Sequence, residues 1–202
     1  MLIIVSGASG VGKSTLCDAL RSQRDHVDLS VSYTTRAPRG AEVDGQHYHF
    51  VDRPTFEGMV KEGAFAEWAE VHGNCYGTAR ATVDAVLQQG RSILFDVDVQ
   101  GAHQLRAAYP DETLLVMILP PSWSALEARL RGRGTDAEEV IVKRLANARA
   151  EMAQAHTFDH LIVNESVEAA QERLIAVVDA AATRPYAVLP WLADELGIKP
   201  AS

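Results

Sequence analysis

Residues Gly7-Ala8-Ser9-Gly10-Val11-Gly12-Lys13-Ser14 fill every fixed position of the pattern GxxxxGK[ST], directly after the run Leu2–Ser6. That placement constrains the chain more than any other feature. The short apolar run reads as a buried strand that opens a parallel sheet. Beyond the glycines, Leu16, Ala19 and Leu20 recur at helical spacing, so the unit is strand, loop, helix. In such a unit the glycines let successive N–H groups curl inward onto phosphate oxygens. The helix, beginning near Gly12, adds the positive end of its dipole. Lys13 sets an ammonium beside the β and γ phosphates, and the Ser14 hydroxyl suits Mg²⁺. The expected triphosphate site is Gly7, Ala8, Ser9, Gly10, Val11, Gly12, Lys13 and Ser14, with Thr15 following.

A second strand, Ile93–Val97, carries Asp96 near its end, a carboxylate expected to join Ser14 at the metal. Taken alone it says little, since many buried strands end on Asp. Further core strands are expected at Leu29–Ser32, Leu114–Leu119 and Leu161–Val163. Helical spacing joins Leu126 with Leu130, and Leu145 with Ala148 and Met152. Leu174, Ala176, Val177 and Val178 belong to a last long helix, and Asp136 with Glu139 fits a capping box. Strands alternating with helices imply an α/β fold: a parallel sheet covered by helices.

Between about Ser32 and Val86 this rhythm breaks into turns and short alternating segments such as Gln46-His47-Tyr48-His49-Phe50. A small, mostly antiparallel insert is expected there. The division is therefore a core of 1–31 and 87–184, an insert of 32–86 and a tail from 185 to 202. Residues Arg131 to Asp136 interrupt two helices as a flap inside the core.

Composition narrows the partners. The 202 residues are 47% hydrophobic and 23% charged, values of an ordinary globular chain, which exclude a disordered tail or a fibre. A net charge of −8 argues against a broad nucleic-acid surface. No apolar stretch approaches the roughly 18 residues of a membrane span. The N-terminal run lacks the length and basic flank of a secretory signal, so a cytoplasmic chain is expected. Two cysteines build no disulfide framework, and Cys17 reads as a small core residue. His47, His49 and His72 lack the partners of a tetrahedral metal site. Assembly with a second copy is compatible with the sequence but not dictated by it.

Within the insert, Arg36 and Arg39 flank a proline turn, and two guanidinium forks so placed grip a phosphate. Tyr48 and Tyr76 offer hydroxyls to the same group, although each alone reads more readily as half-buried packing. At these residues the chain resembles the guanylate kinase family. The resemblance is carried by the phosphate loop, by Ser30 to Arg39, by Glu67-Trp68 and by Tyr76-Gly77-Thr78. Asp96 to Gly101, Arg131 to Thr135 and Ile162-Val163-Asn164 extend it over roughly residues 2 to 183.

The resemblance implies a P-loop nucleoside monophosphate kinase fold with a GMP-binding insert and a small helical lid, about 123–150, closing over ATP. It implies phosphoryl transfer from ATP to GMP, and to dGMP, with Mg²⁺. Carried over, it puts the GMP phosphate on Arg36, Arg39, Tyr48 and Tyr76, and the guanine beside Ser32, Glu67 and Thr78 with Asp98 near. Arg133 and Arg144, and with them Arg129, correspond to lid arginines; Lys13 with Arg133 and Arg144 would stabilise the transferring group. Asn164 falls near the adenine. Chemistry supports the guanine assignment: N1–H and the N2 amino group present two donors to one ionised carboxylate, such as Glu67, whereas adenine offers an acceptor there. Two other readings stay open: a non-catalytic interaction module that uses the same cleft for protein ligands, and a kinase acting on another small phosphate such as a ribose bisphosphate.

Three positions depart from the family pattern: Ala8 where proline is common, bulky Tyr33 beside Ser32, and Gly40-Ala41 in reversed order. Ala8 should only loosen its turn, Tyr33 is expected to crowd the base pocket, and Gly40-Ala41 should reshape the turn after Arg39.

Overall fold

The computed structural model describes residues 1–71, 73–132 and 137–197. Its core is a five-stranded parallel sheet in the order β2-β7-β1-β8-β9. These strands are β1 (Leu2–Ser6), β2 (Val27–Leu29), β7 (Ser92–Asp96), β8 (Thr113–Leu119) and β9 (His160–Val163). Both faces are apolar, as a parallel sheet covered on both sides requires. Ile3, Val5, Leu94 and Val116 face one cluster, under α1 (Lys13–Gln23) and α7 (Val167–Ala181). Leu2, Ile4, Ile93 and Phe95 face the other, under α3 (Arg80–Gln88) and α4 (Val99–Ala108). Period-2 alternation within β1 thus feeds both layers.

The expected Leu29–Ser32 strand lies earlier, at Val27–Leu29. Ser30 still donates its N–H to the Leu94 carbonyl, but the Ser32 carbonyl already accepts from His49 in the other sheet. Residues 31–32 are therefore the crossing between sheets. The Asp-bearing strand also starts one residue sooner than expected, at Ser92. In α7 the buried stripe is Ala170, Leu174, Val178 and Ala181, so Ala176 faces outward. Helix α6 (Glu138–Met152) has Ala137 at its N-cap; Asp136 of the expected capping box lies outside the described residues. Before it, α5 (Trp123–Arg131) opens on a Ser122 cap. The described part of the tail holds one helix, α8 (Pro185–Leu196). Among the described residues, no helix is long and apolar enough to cross a membrane.

The insert forms a second sheet, β4-β3-β6-β5, from β3 (Tyr33–Thr34), β4 (His49–Phe50), β5 (Phe65–Val71) and β6 (Asn74–Ala79). Two of its pairings are antiparallel, and β3–β4 is parallel. Helix α2 (Arg53–Lys61) was not anticipated, nor were α3 and α4; α2 begins where Asp52 accepts the Thr55 N–H and Pro54 stands in the first turn. Those start signals are ordinary ones. Tyr33 lies on the α2 side of the sheet with Phe56 and Phe65, its ring 4.6 Å from that of His49. Strand alternation turns it away from Ser32, so it does not crowd the base pocket. His47 accepts the Val43 N–H on its ring nitrogen, while His72 lies outside the described residues. Cys17 is buried in the core as expected.

Phe56 is fully buried in a cluster with only two other buried members, Phe65 and Cys75. Phe56→Ala should cost about 3–5 kcal/mol. The loss should appear as local opening, with faster amide hydrogen exchange over residues 53–79 and unchanged protection in β1, β7 and β8.

Candidate active site

All five core strands run parallel, so their carboxyl ends share one edge, where α/β sheets hold ligands. At the end of β1 the chain enters the phosphate loop with Gly7, Gly10 and Gly12 all at positive φ. Gly7 also passes so close to β8 that a Cβ there would collide with the Ile118 carbonyl. Lys13 donates to the Gly7 carbonyl at 2.6 Å and stands 4.0 Å from Asp96. Ser14 donates its hydroxyl to Asp96 at 2.8 Å. Gly10, Gly12, Lys13 and Ser14 line a cavity of about 460 Å³ that reaches Asp96 and Asp98. Ser14 and Asp96 present hard oxygen donors beside the loop, a set that fits Mg²⁺. Ala8 is fully buried under the loop, among the core residues.

A larger cleft of about 850 Å³ adjoins this cavity and shares Ser9, Asp96, Val97, Asp98 and Glu151 with it. Its far wall is the insert, through Ser32, Tyr48, Glu67 and Tyr76. Its near wall is α6, through Lys143, Arg144 and Asn147. Two cavities meeting at one row of carboxylates give room for two ligands end to end.

Glu67 is only 5% exposed. A register shift in β5 between Phe65 and Glu67 sends Phe65 under α2, Ala66 into the main core and Glu67 toward the cleft. Bulges re-aim side chains in this way next to sites. Thr78 donates to Glu67 Oε1 at 2.8 Å, with Ser30 and Ser32 at 3.3 and 3.2 Å from the Thr78 hydroxyl. Gly101 lies against the other oxygen, and a Cβ there would sit 3.2 Å from Glu67 Oε2. Burial pushes the Glu67 carboxyl up to about 7, against the opposing pull of the Thr78 hydrogen bond. Asp98 caps α4 by accepting the Gly101 N–H at 2.8 Å.

Arg36, only 9% exposed, lies 5.3 Å over the Tyr48 ring and donates one N–H to the Ala37 carbonyl. Its guanidinium meets Glu42 through two bonds of 2.9 and 2.8 Å. Glu42 also accepts the Arg39 N–H at 2.7 Å, and these contacts, Arg36 first, hold its carboxyl down at about 2. The turn between them runs through Gly40 at φ 54. Three of the five guanidinium N–H groups are thereby committed, and the remaining edge meets the Tyr76 and Tyr48 hydroxyls. Sequence reasoning missed Glu42, although a carboxylate three residues after Arg39 and next to a turn was a usable signal. It missed Asn147 and Glu151 as well, for which nothing local gave a signal.

Not every expected residue joins the cleft. The Arg39 side chain is exposed and does not line it. Arg133 lies outside the described residues. Thr15 lines the smaller cavity, as expected of the loop. Asn164 is 2% exposed and does not line either cavity. It donates instead to the Val11 carbonyl at 2.7 Å. Arg129 is likewise turned inward, donating to the Asn164 carbonyl at 3.0 Å. Arg131 pairs at the surface with Glu127 and Glu138.

The sequence profile of the guanylate kinase family matches residues 1–181. A guanylate kinase of Chromobacterium violaceum is 48% identical over 193 residues, covering 96% of this chain and 91% of its own. One from Aromatoleum aromaticum is 50% identical over 183 residues, covering 91% and 89%. Among solved structures, guanylate kinase from Anaplasma phagocytophilum superposes with a TM-score of 0.73 at 28% identity, covering 99% of this chain and 96% of that one.

The Thr78 hydroxyl bond favours the charged form of Glu67, together with a weaker bond from the Thr78 backbone. Thr78→Val should therefore raise the Glu67 pKa further above about 7, as read by side-chain carboxyl NMR.

Proposed function

The chain belongs to the guanylate kinase family and transfers phosphate from ATP to GMP, and we propose that the two cavities divide the substrates between them. ATP places its phosphates in the cavity of the glycine loop, cradled by residues 7–15. GMP, and dGMP with the same base and phosphate, occupies the larger cleft. The observation that carries this reading is the buried Glu67 carboxylate, reached from the phosphate loop across the shared row Asp96-Val97-Asp98.

Glu67 accepts the two guanine donors, Thr78 and Ser32 hold it in place, and Asp98 lies beside the base. Adenine would leave that buried carboxylate facing a lone pair, and sites of this kind discriminate by roughly 10⁴ or more. Arg36, oriented by Glu42, takes the acceptor phosphate with the Tyr48 and Tyr76 hydroxyls; a role for Arg39 there rests on the sequence resemblance. An anionic oxygen of that phosphate forms a bond to the γ-phosphorus as the bond to the β-phosphate oxygen breaks and ADP leaves. No general base is needed, because the attacking oxygen carries no proton.

Lys13, Arg144 and Arg133 offset the charge that spreads over the transferring group, where positioning and cationic stabilisation carry most of the catalysis. The Arg133 assignment rests on the sequence resemblance. Mg²⁺ held by Ser14 and Asp96 would neutralise charge on the β and γ phosphates.

A coupled assay of ADP release separates the readings. GMP should give turnover, with AMP, CMP and UMP at least about a hundredfold slower. No turnover with any of the four would instead favour a non-catalytic cleft. Glu67→Gln turns one acceptor into a donor facing guanine, so it should raise the KM for GMP and narrow the preference over AMP. An unchanged preference would remove Glu67 from base recognition.

A further inference from the structure

Strand β5 is the last strand of the insert sheet, so one of its sides has no strand beside it. At Trp68 that side is taken by a single side chain of the core. The Trp68 N–H donates to Gln104 Oε1 at 3.0 Å, and Gln104 Nε2 donates to the Trp68 carbonyl at 3.0 Å. In an antiparallel pair a residue gives both of its backbone groups to one neighbour, and a side-chain amide offers the same pairing of donor and acceptor. Gln104 thus stands in for a missing strand over one residue. That residue adjoins Glu67.

The clamp comes from a helix that is firmly seated. Val99, Ala102 and Leu105 bury α4 in the main core. Asp98, Gly101 and Gln104 follow one another at intervals of three along an adjoining face. Asp98 lines the cleft, and Gly101 lies so near Glu67 that a Cβ would sit 3.2 Å from Oε2. Gln104 holds the next peptide along the strand. On the other flank of Glu67, Ala66 is buried in the same apolar cluster as α4. The base-reading carboxylate therefore stands between two anchors, one apolar and one hydrogen-bonded. Folding alone does not ask for the second anchor: Trp68 is exposed and Gln104 half-buried, where water would satisfy an edge peptide nearly as well.

We propose that Gln104 is a positioning residue that sets base specificity. By clamping the Trp68 peptide to α4 it fixes where the Glu67 carboxylate meets the two guanine donors. Gln104 itself does not line the cleft, so it acts through the strand and not on the nucleotide. The inference rests on Glu67 reading guanine, which Glu67→Gln tests separately.

The experiment compares Gln104→Met, which keeps an unbranched side chain of similar length without the amide, with Gln104→Glu, which keeps only the acceptor for the Trp68 N–H. KM and kcat are measured for GMP, for ATP and for IMP, whose base retains N1–H but lacks the 2-amino donor. Gln104→Met should raise the KM for GMP about fivefold and narrow the GMP-over-IMP ratio of kcat/KM about threefold or more. The KM for ATP should stay within about twofold, and Gln104→Glu should fall between the unmodified chain and Gln104→Met. Added to Glu67→Gln, Gln104→Met should narrow the ratio no further, because both changes act on one interaction. An unchanged ratio, whether or not the KM for GMP rises, would overturn the proposal, as would losses for GMP and ATP in step. If Glu67→Gln narrows the ratio and Gln104→Met does not, the clamp alone fails; if Glu67→Gln leaves it intact, the reading of the base fails with it. Should Gln104→Met not fold, Gln104→Glu decides.

Discussion

The close passage of Gly7 beneath the Ile118 carbonyl is the contact on which the rest is arranged. It lets the chain leave β1 at the carboxyl edge of the sheet and turn straight back into α1. Lys13 then returns its ammonium to the Gly7 carbonyl, and Ser14 reaches Asp96 on the neighbouring strand β7. Because β1 and β7 are parallel and in register from Leu2↔Ile93 to Val5↔Asp96, loop and carboxylate finish level with one another. A buried parallel sheet makes that alignment rigid, and a rigid nest of N–H groups needs no reordering when phosphate arrives.

The insert solves a different problem: how to keep a carboxylate ready in a place that disfavours its charge. Ala66 anchors β5 to the main core while Phe65 anchors it under α2, and the shift between them leaves Glu67 facing the cleft. Gly101 allows the start of α4 to approach its outer oxygen. The cost of burial appears in the raised pKa of Glu67, and a ligand with two donors relieves it. Arg36 shows the opposite arrangement, a buried cation satisfied on one side by Glu42 and meeting the Tyr76 and Tyr48 hydroxyls on the other.

The phosphate loop, most core strands and a mostly antiparallel insert were legible in the sequence because each depends on local pattern: glycine spacing, apolar runs and turn residues. What the pattern left out depended on side-chain direction. Asn164 sits in a recognisable motif, but nothing linear says that its amide turns into the core toward Val11. Tyr33 looked like an intruder in the base pocket, although period-2 alternation with Ser32 and Thr34 already placed it on the other face. Ser32 belongs to no core strand, because hydrogen bonding passes from Leu94 to His49 within three residues, a switch that composition does not mark. Glu42, Asn147 and Glu151 acquire meaning only when the insert and α6 face each other across the cleft.

The central claim is that guanine is read by a buried carboxylate that must be ionised to accept its donors. Calorimetry of GMP binding at pH 7, repeated in buffers of different ionisation enthalpy, measures the protons released per ligand. With Glu67 titrating at about 7 in the free chain, binding should release about half a proton more from the unmodified chain than from Glu67→Gln, the phosphate's own ionisation being common to both. Equal proton release from the two proteins, or net uptake by the unmodified one, would contradict the account.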